Sequence, residues 1–273
     1  MNTLNLIVVL LLLFTAVDGI AYTTKHAPDS ETLLKEIGEQ YGAQKINQIG
    51  NNINSITSEL GENATQKMLS TGDKTFQKNM MATWSYEGQW SIAKATELTD
   101  TYQVNRAIVK YSDPLINQGD SELLKKSMEN LGELKQINGA DNLTTNVIQN
   151  PSYGFYYETK INKKLLDEGY TLNKISIETN IGGINRELDT SFITPANKTA
   201  LGEIKSGNPT NWQSPTGELK QEFRNQLLAY AQYATDNGIE EVWLISKQTV
   251  PQEIKNAIES LNPKIKVKLE SEI

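Results

Sequence analysis

The segment ELDTSFITPANKTALGEIK, residues 187–205, decides the fold of the C-terminal part of this chain. Its two arms, residues 187–193 and 199–205, read as strands on either side of the turn sequence TPANK. Asp189 and Glu203 are equidistant from Ala196, the centre of that turn. A symmetric hairpin therefore places the two carboxylates opposite each other, with Cβ atoms about 4.5–5.5 Å apart.

Two carboxylates at that distance repel each other unless a cation compensates them. At about 5 Å and an effective dielectric constant of about 20, the repulsion is roughly 3 kcal/mol. Mg²⁺ is suited to such a place, because it takes one or two carboxylates and keeps several waters for substrate phosphates. Lys205 lies two residues past Glu203 and so on the same face of the strand. Its ammonium group can orient an attacking water and offset charge that develops on a phosphate.

The sequence on both sides of the hairpin alternates between helix and strand patterns. The predicted elements are a helix over 153–168, strands over 174–181, 187–193 and 199–205, a helix over 218–235, a strand over 242–245, a helix opened by Pro251 and a strand over 265–269. This αβββαβαβ order predicts an α/β domain, a mixed β-sheet flanked by helices, over residues 151–273. Asn150-Pro151 marks its start, because the residue before proline avoids the helical conformation.

The pattern Asp189-x13-Glu203-Ile204-Lys205 resembles the motif of the PD-(D/E)XK nucleases. Its flanks add to the resemblance. The sequence around Glu158, with Leu165 and Gly169-Tyr170 after it, looks like the first helix of RecB-like members, and residues 183–189 are similar to their approach to the first metal ligand. The segment QLLAY, residues 226–230, matches the Q-x3-Y that these nucleases carry on the helix after the E-x-K strand.

The resemblance covers residues 153–233 and leaves the first 150 unmatched. Leu188 precedes Asp189, where many members of the superfamily have proline. The resemblance implies a restriction-endonuclease-like fold that hydrolyses phosphodiesters with Mg²⁺ or Mn²⁺. It also implies a role for each of six residues: Asp189 and Glu203 as metal ligands, Lys205 as the residue that positions water, Glu158 as a supplementary acid, and Gln226 and Tyr230 as the lining of the site.

Some of these residues also have structural interpretations. Glu158 could be a solvated residue on a helix surface. Gln226 borders an apolar stripe and could end a packing edge, while Tyr230 could belong to the core. Glu187 projects on the same face as Asp189 and is a possible alternative ligand.

Residues 28–149 predict a helical domain of unknown role. Helical spacing is clear over 31–41, 46–60 and 121–137, whereas Met80, Met81, Trp84, Tyr86 and Trp90 lie in a less regular region. Such a patch is either a membrane- or receptor-contacting surface or the core of a small helical domain, and the core is favoured.

Residues 6–17, LIVVLLLLFTAV, are apolar. As a helix they rise about 18 Å, which is short of a bilayer core of about 30 Å. The length suits a signal peptide, although residues 1–5 lack Lys and Arg. We predict that residues 1–21 are a signal peptide or a hydrophobic export helix and that the processed protein is secreted, with no stable membrane anchor.

The composition excludes several kinds of catalytic site. There is no cysteine, so disulfides, cysteine-ligated zinc and thiol nucleophiles are excluded, and the one histidine, His26, makes a histidine-based site a poor prospect. The net charge of −7 argues against a basic nucleic-acid coat. Residues 151–273 are less acidic, with 14 Lys and Arg against 16 Asp and Glu.

The leading hypothesis is a metal-dependent endonuclease, with DNA favoured over RNA. An export signal, an acidic helical front and a C-terminal nuclease together resemble secreted or delivered bacterial polymorphic toxins, which act inside a target cell and are held by a cognate immunity protein. A nuclease of structured RNA such as tRNA is the second hypothesis. The third is a catalytically inactive module that binds nucleic acid or a partner, and the intact Asp189, Glu203 and Lys205 weigh against it.

Overall fold

The computed structural model describes residues 30–99, 106–108, 110 and 120–273. The predicted signal segment, residues 1–21, lies outside them. The chain divides into two compact units, residues 1–128 with 148–151 and residues 129–147 with 152–273. The chain crosses from one unit to the other after Pro151, and residues 129–147 pack with the C-terminal unit.

The first unit is built from helices, as the sequence predicts. Its helices with described bounds include α1 (Ser30–Tyr41), α2 (Ala43–Leu60), α3 (Glu62–Leu69), α4 (Lys74–Thr83) and α5 (Tyr86–Leu98), and residues 106–108 and 110 are helical as well. Helix α2 contacts each of the other four, and its isoleucines at helical spacing are buried. Within the described part of the chain, no helix combines the length and hydropathy that a membrane span requires.

The aromatic and methionine patch of this unit is regular structure. It spans the end of α4 and the start of α5, which begins after Ser85 as N-cap. Met80, Met81, Trp84 and Trp90 are all buried, so the favoured interpretation as core is confirmed. The spacing looks irregular in the sequence because the patch is divided between two helices that are separated by Trp84 and Ser85.

The next elements lie between residue 121 and the end of the chain. They are α6 (Ser121–Leu134), α7 (Ala140–Gln149), α8 (Tyr153–Asp167), β1 (Thr171–Ile181), β2 (Ile184–Ile193), β3 (Thr199–Lys205), a 3-10 turn (Pro209–Trp212), α9 (Gln221–Asp236), β4 (Glu241–Ser246), α10 (Gln252–Glu259), β5 (Ile265–Leu269) and a second 3-10 turn (Glu270–Glu272). From α8 onward the predicted order of helices and strands is confirmed.

The five strands form one mixed sheet in the order β1-β2-β3-β4-β5. The first three pair antiparallel through short turns, whereas β3, β4 and β5 pair parallel. Parallel neighbours need a crossover connection, and α9 and α10 provide it. The α/β class and the mixed sheet flanked by helices are therefore confirmed.

Both faces of the central strands are buried. Val242 and Leu244 of β4 belong to a core cluster that includes residues of α9 and α10. The alternate residue Trp243 packs edge-on against Phe192 and Tyr170. Helix α8 contacts β1 and β3. The sheet is thus clamped between helices, which fixes the end of β3 where the sequence places its acidic motif.

Gly139, in the loop between α6 and α7, lies against the backbone of β1. The Asn138 carbonyl accepts a 2.9 Å hydrogen bond from the Ile175 N–H. Gly139 has φ +93°, and a Cβ atom at this position would lie 1.8 Å from the Ile175 carbonyl oxygen. A side chain here would force the loop away from the strand.

We expect Gly139→Ala to lower the free energy of unfolding of the C-terminal unit by about 3 kcal/mol or more, because backbone strain and steric overlap add. Gly169→Ala is the matched control: its φ is +83° but its Cβ would meet nothing within 4 Å. It should cost only about 1–2 kcal/mol. Urea unfolding of the full chain, followed by hydrogen exchange of the β1 amides, measures both. Equal losses would contradict the close approach.

Candidate active site

Asp189 and Glu203 lie where β2 and β3 stop pairing. Their ladder runs from Ile193↔Thr199 to Thr190↔Gly202, and this register is centred on Ala196 as predicted. One step beyond the last pair, the Asp189 carboxylate accepts a 2.6 Å hydrogen bond from the Ile204 backbone N–H. This hydrogen bond, from a backbone N–H of β3 to a side-chain oxygen, holds Asp189 beside the Glu203–Lys205 segment.

Glu203 is only 1% exposed, and its two oxygens differ. Oε1 forms an ion pair with the Lys205 ammonium and accepts a 2.9 Å hydrogen bond from Gln226 Nε2. Oε2 is buried and has no hydrogen-bond partner among the described residues. A buried carboxylate oxygen without a donor is costly, so Oε2 is a position at which a cation would be stabilising.

Gln226 and Tyr230 are held together on α9. They are four residues apart and so lie on the same side of the helix. Gln226 Nε2 donates to the Tyr230 hydroxyl over 2.8 Å, and that hydroxyl donates to the Glu187 carbonyl over 3.1 Å. Tyr230 is 2% exposed and is also part of the core cluster. This chain of hydrogen bonds connects α9 to both acidic strands.

Glu158 lies in the second turn of α8, on the buried side of that helix. It is 7% exposed, and its Oε1 is buried without a hydrogen-bond partner within the described chain. Its backbone carbonyl accepts a 3.1 Å hydrogen bond from the buried Asn162 side chain. Glu158 is therefore not a solvated surface residue, and its carboxylate is the second one with an unpartnered buried oxygen.

Glu187 is fixed by two residues that the sequence did not point to. Its Oε1 accepts a hydrogen bond from the Ser176 hydroxyl and another, of 3.0 Å, from Asn146 Nδ2. Ser176 is buried in β1 with φ +48°, a strained conformation for a residue other than glycine. Such strain persists only where the surroundings enforce it, and here it accompanies the contact with Glu187.

Burial and neighbouring negative charges raise the pKa of two carboxylates of the site, Glu158 and Asp189. Burial, followed by the charges of Asp189, Glu187 and Glu203, raises the pKa of Glu158 well above its ordinary value. Burial and the Glu203 charge likewise raise the pKa of Asp189, against the opposing effects of Lys205 and the Ile204 N–H. Glu158, Asp189, Glu203 and Lys205 are therefore close enough to act on one another's charge environment.

Lys205 is the cation that this environment contains. Burial alone would lower the pKa of Lys205, but the charges of Glu203 and Asp189 outweigh it and the net pKa is raised. The ammonium group therefore stays protonated at neutral pH. It balances one negative charge of the group.

The donor atoms suit a hard divalent cation, because they are carboxylate oxygens, two of them buried and unpartnered. In the described part of the chain, no group of three or more acidic, His or Cys residues is arranged so that it could hold a metal ion by itself. Asp189 and Glu203 would thus hold the ion with water, backbone or substrate oxygens as further ligands, an arrangement that Mg²⁺ commonly adopts.

We expect Glu158→Gln to make the metal-free protein more stable relative to the wild type as the pH rises. A raised carboxyl pKa means that the folded state binds more protons than the unfolded state, so wild-type stability falls as the pH rises through the folded pKa. Each unit between the two pKa values corresponds to about 1.4 kcal/mol. Urea midpoints between pH 5 and pH 8 measure the difference. Glu168→Gln, at the exposed end of the same helix, is the control and should leave the slope unchanged.

No protein-family model matches this chain, and no curated protein matches it. The resemblance of residues 153–233 to PD-(D/E)XK nucleases therefore stays a prediction from the motif. The buried carboxylate group is a separate observation, because it depends on contacts between α8, β2, β3 and α9 and not on sequence similarity.

Proposed function

We propose that the C-terminal unit is a nuclease with a restriction-endonuclease-like fold that hydrolyses nucleic-acid phosphodiesters with Mg²⁺ or Mn²⁺. One observation carries the proposal: Glu158 and Glu203, in one electrostatic environment with Asp189, each have a buried oxygen with no donor. A divalent cation removes that cost, and the neighbouring Lys205 offers a fixed positive charge to a phosphate.

In this proposal Asp189 and Glu203 hold the ion. The bound metal would polarise the phosphodiester and supply an activated water. Lys205 keeps its proton, hydrogen-bonds the water or a phosphate oxygen, and stabilises the negative charge that grows in the transition state. Hydrolysis breaks one phosphorus–oxygen ester bond, adds the water oxygen to phosphorus and leaves its protons on the products.

Gln226 and Tyr230 position other groups of the site, whereas Glu158 has an acid–base role. Gln226 holds Glu203 Oε1 over 2.9 Å and so helps to fix the orientation of that carboxylate. Tyr230 fixes Gln226 and the backbone of Glu187. Glu158 supplies a further acidic oxygen, which takes or gives a proton according to its raised pKa.

The substrate and the biological setting stay predictions from the sequence. DNA is favoured over RNA, and a tRNA-type substrate is the second candidate. Delivery as a toxin, with a cognate immunity protein, depends on residues 1–21, which lie outside the described chain.

We expect the purified full chain to cut DNA or tRNA in Mg²⁺ or Mn²⁺ and to stop when EDTA is added. Asp189→Asn, Glu203→Gln and Lys205→Met should each lower the cleavage rate by about a hundredfold or more, because each removes a ligand or a transition-state charge. Glu253→Gln and Lys174→Met, which change exposed charges on α10 and β1, are the matched controls. Plasmid, single-stranded DNA and tRNA digestion on gels measures the rates.

Unchanged cleavage in any two of the three site variants would discard the mechanism. Retention of nucleic acid without products, with or without metal, would favour the inactive binding module instead. The controls must keep wild-type rates for the comparison to hold.

Metal binding is testable without any substrate. We expect Mn²⁺ to raise the melting temperature of the wild type, because an ion that binds the folded state at a hundred times its Kd adds about 2.7 kcal/mol of stability. The double variant Asp189→Asn/Glu203→Gln should lose the rise, whereas Glu253→Gln should keep it. An equal rise in all three proteins would place the ion elsewhere.

A further inference from the structure

An open cavity of about 350 Å³ adjoins the carboxylate group. Gln226 belongs to both, because it lines the cavity and donates to Glu203. The other side chains that matter here are Arg186, Trp212, Lys220, Glu222 and Phe223. A ligand in this cavity would therefore extend to the proposed reaction centre.

One wall of the cavity is aromatic. The rings of Trp212 and Phe223 stack with centroids 5.2 Å apart and planes 27° from parallel. Trp212 is buried, and Phe223 is only partly buried. The Trp212 carbonyl accepts a 2.8 Å hydrogen bond from the Lys220 N–H, which ties the 3-10 turn to the start of α9. The aromatic wall is thus held in place by backbone contacts.

Two cationic side chains, Arg186 and Lys220, also line the cavity. Arg186 Nε is buried, with no hydrogen-bond partner in the described part of the chain. Lys220 is exposed at the rim, where Glu222 is the one acidic residue that lines the cavity. An arginine donor removed from water without an acceptor is costly, and a phosphate oxygen is an acceptor that matches the guanidinium group.

We infer that this cavity binds one unpaired nucleotide next to the phosphodiester that is cut. Its base stacks on Phe223, and its phosphate meets Arg186 and Lys220. Within a duplex the faces of a base are covered by its neighbours, so stacking on a protein ring requires a base that is single-stranded or has left the stack. The substrate class is therefore single-stranded nucleic acid or a strand with an unstacked base. This inference rests on the proposed function for its reaction but not for its binding site.

Binding without turnover tests the cavity. The probes are fluorescein-labelled oligothymidylate and oligouridylate of ten nucleotides and a ten-base-pair duplex, added to the full chain in EDTA and followed by fluorescence anisotropy. We expect both single strands to bind more tightly than the duplex. Phe223→Leu should weaken single-strand binding about fivefold or more, because base–aromatic stacking is lost.

Arg186→Gln should weaken binding as well and should also reduce the slope of log affinity against log salt by about 0.7, because one phosphate contact is removed. Phe223→Leu should leave that slope unchanged. Phe223→Trp keeps an aromatic face and should restore binding, which separates stacking from a folding defect. Tyr233→Leu and Arg224→Gln, on α9 but outside the cavity lining, are the matched controls and should bind as the wild type does.

Equal affinity of Phe223→Leu, Phe223→Trp and the wild type would overturn the inference, as would a duplex bound as tightly as the single strands or no binding of either strand. Binding with these variant effects but without cleavage in Mn²⁺ would count against the proposed nuclease and leave the nucleotide site standing. Metal-dependent cleavage, with no effect of the Phe223 or Arg186 substitutions on binding, would count against the nucleotide site and leave the proposed nuclease standing.

Discussion

The ammonium group of Lys205 lies among carboxylates that repel one another. Glu203 pairs with it directly, and Asp189 and Glu158 are near enough to shift its pKa. Two unpaired carboxylates about 5 Å apart repel by roughly 3 kcal/mol at an effective dielectric of about 20, and one ammonium cannot neutralise three of them. The remaining charge is removed by protons or by a metal ion. The raised pKa values of Asp189 and Glu158 mean that, without a metal ion, protonation of these two groups reduces the excess negative charge.

The excess of negative charge lies where the regular pairing of β2 with β3 ends. Between Thr190 and Gly202 the hairpin still pairs normally, and Gly202 has room only for a hydrogen, because a Cβ would lie 2.5 Å from the Thr190 methyl group. One residue further from the turn, the Asp189 carboxylate accepts a hydrogen bond from the Ile204 backbone N–H. In the neighbouring strand β1, Ser176 has a strained backbone conformation. Unpartnered oxygens and backbone strain lower stability, and the packed core of α9, α10 and the central strands offsets them.

Much of this unit follows from local pattern. The turn sequence TPANK set the predicted start of β3, whose observed bounds agree, and the equal spacing of Asp189 and Glu203 about Ala196 predicted the hairpin register. The Q-x3-Y spacing placed Gln226 and Tyr230 on one side of a helix, where the hydrogen bonds join them. These features depend on residues that are close in sequence or joined by a single turn, so they can be predicted from the sequence pattern alone.

Other features could not be predicted because they depend on distant contacts. Asn146 reaches Glu187 over 41 residues, and nothing in its own segment marks it. The positive φ of Ser176 has no sequence signature, since serine rarely adopts it. The aromatic wall forms only when the Pro209–Trp212 turn folds against the start of α9. The position of this turn is set by backbone hydrogen bonds, which leave no trace in the periodic spacing of hydrophobic residues.

Gln226 links the chemistry of the carboxylates to the choice of ligand in the adjoining cavity. Its amide nitrogen is occupied, because it donates to Glu203 and to Tyr230. Only its carbonyl oxygen is left to meet a ligand, and that oxygen is an acceptor. The cavity therefore offers donors from Arg186 and Lys220 to a phosphate and acceptors from Gln226 and Glu222 to a base. A nucleotide whose base has an amino or imino N–H satisfies both sets. A ligand bound this way would contact the same amide group that orients Glu203, so binding in the cavity would be coupled to the position of the proposed metal ligand.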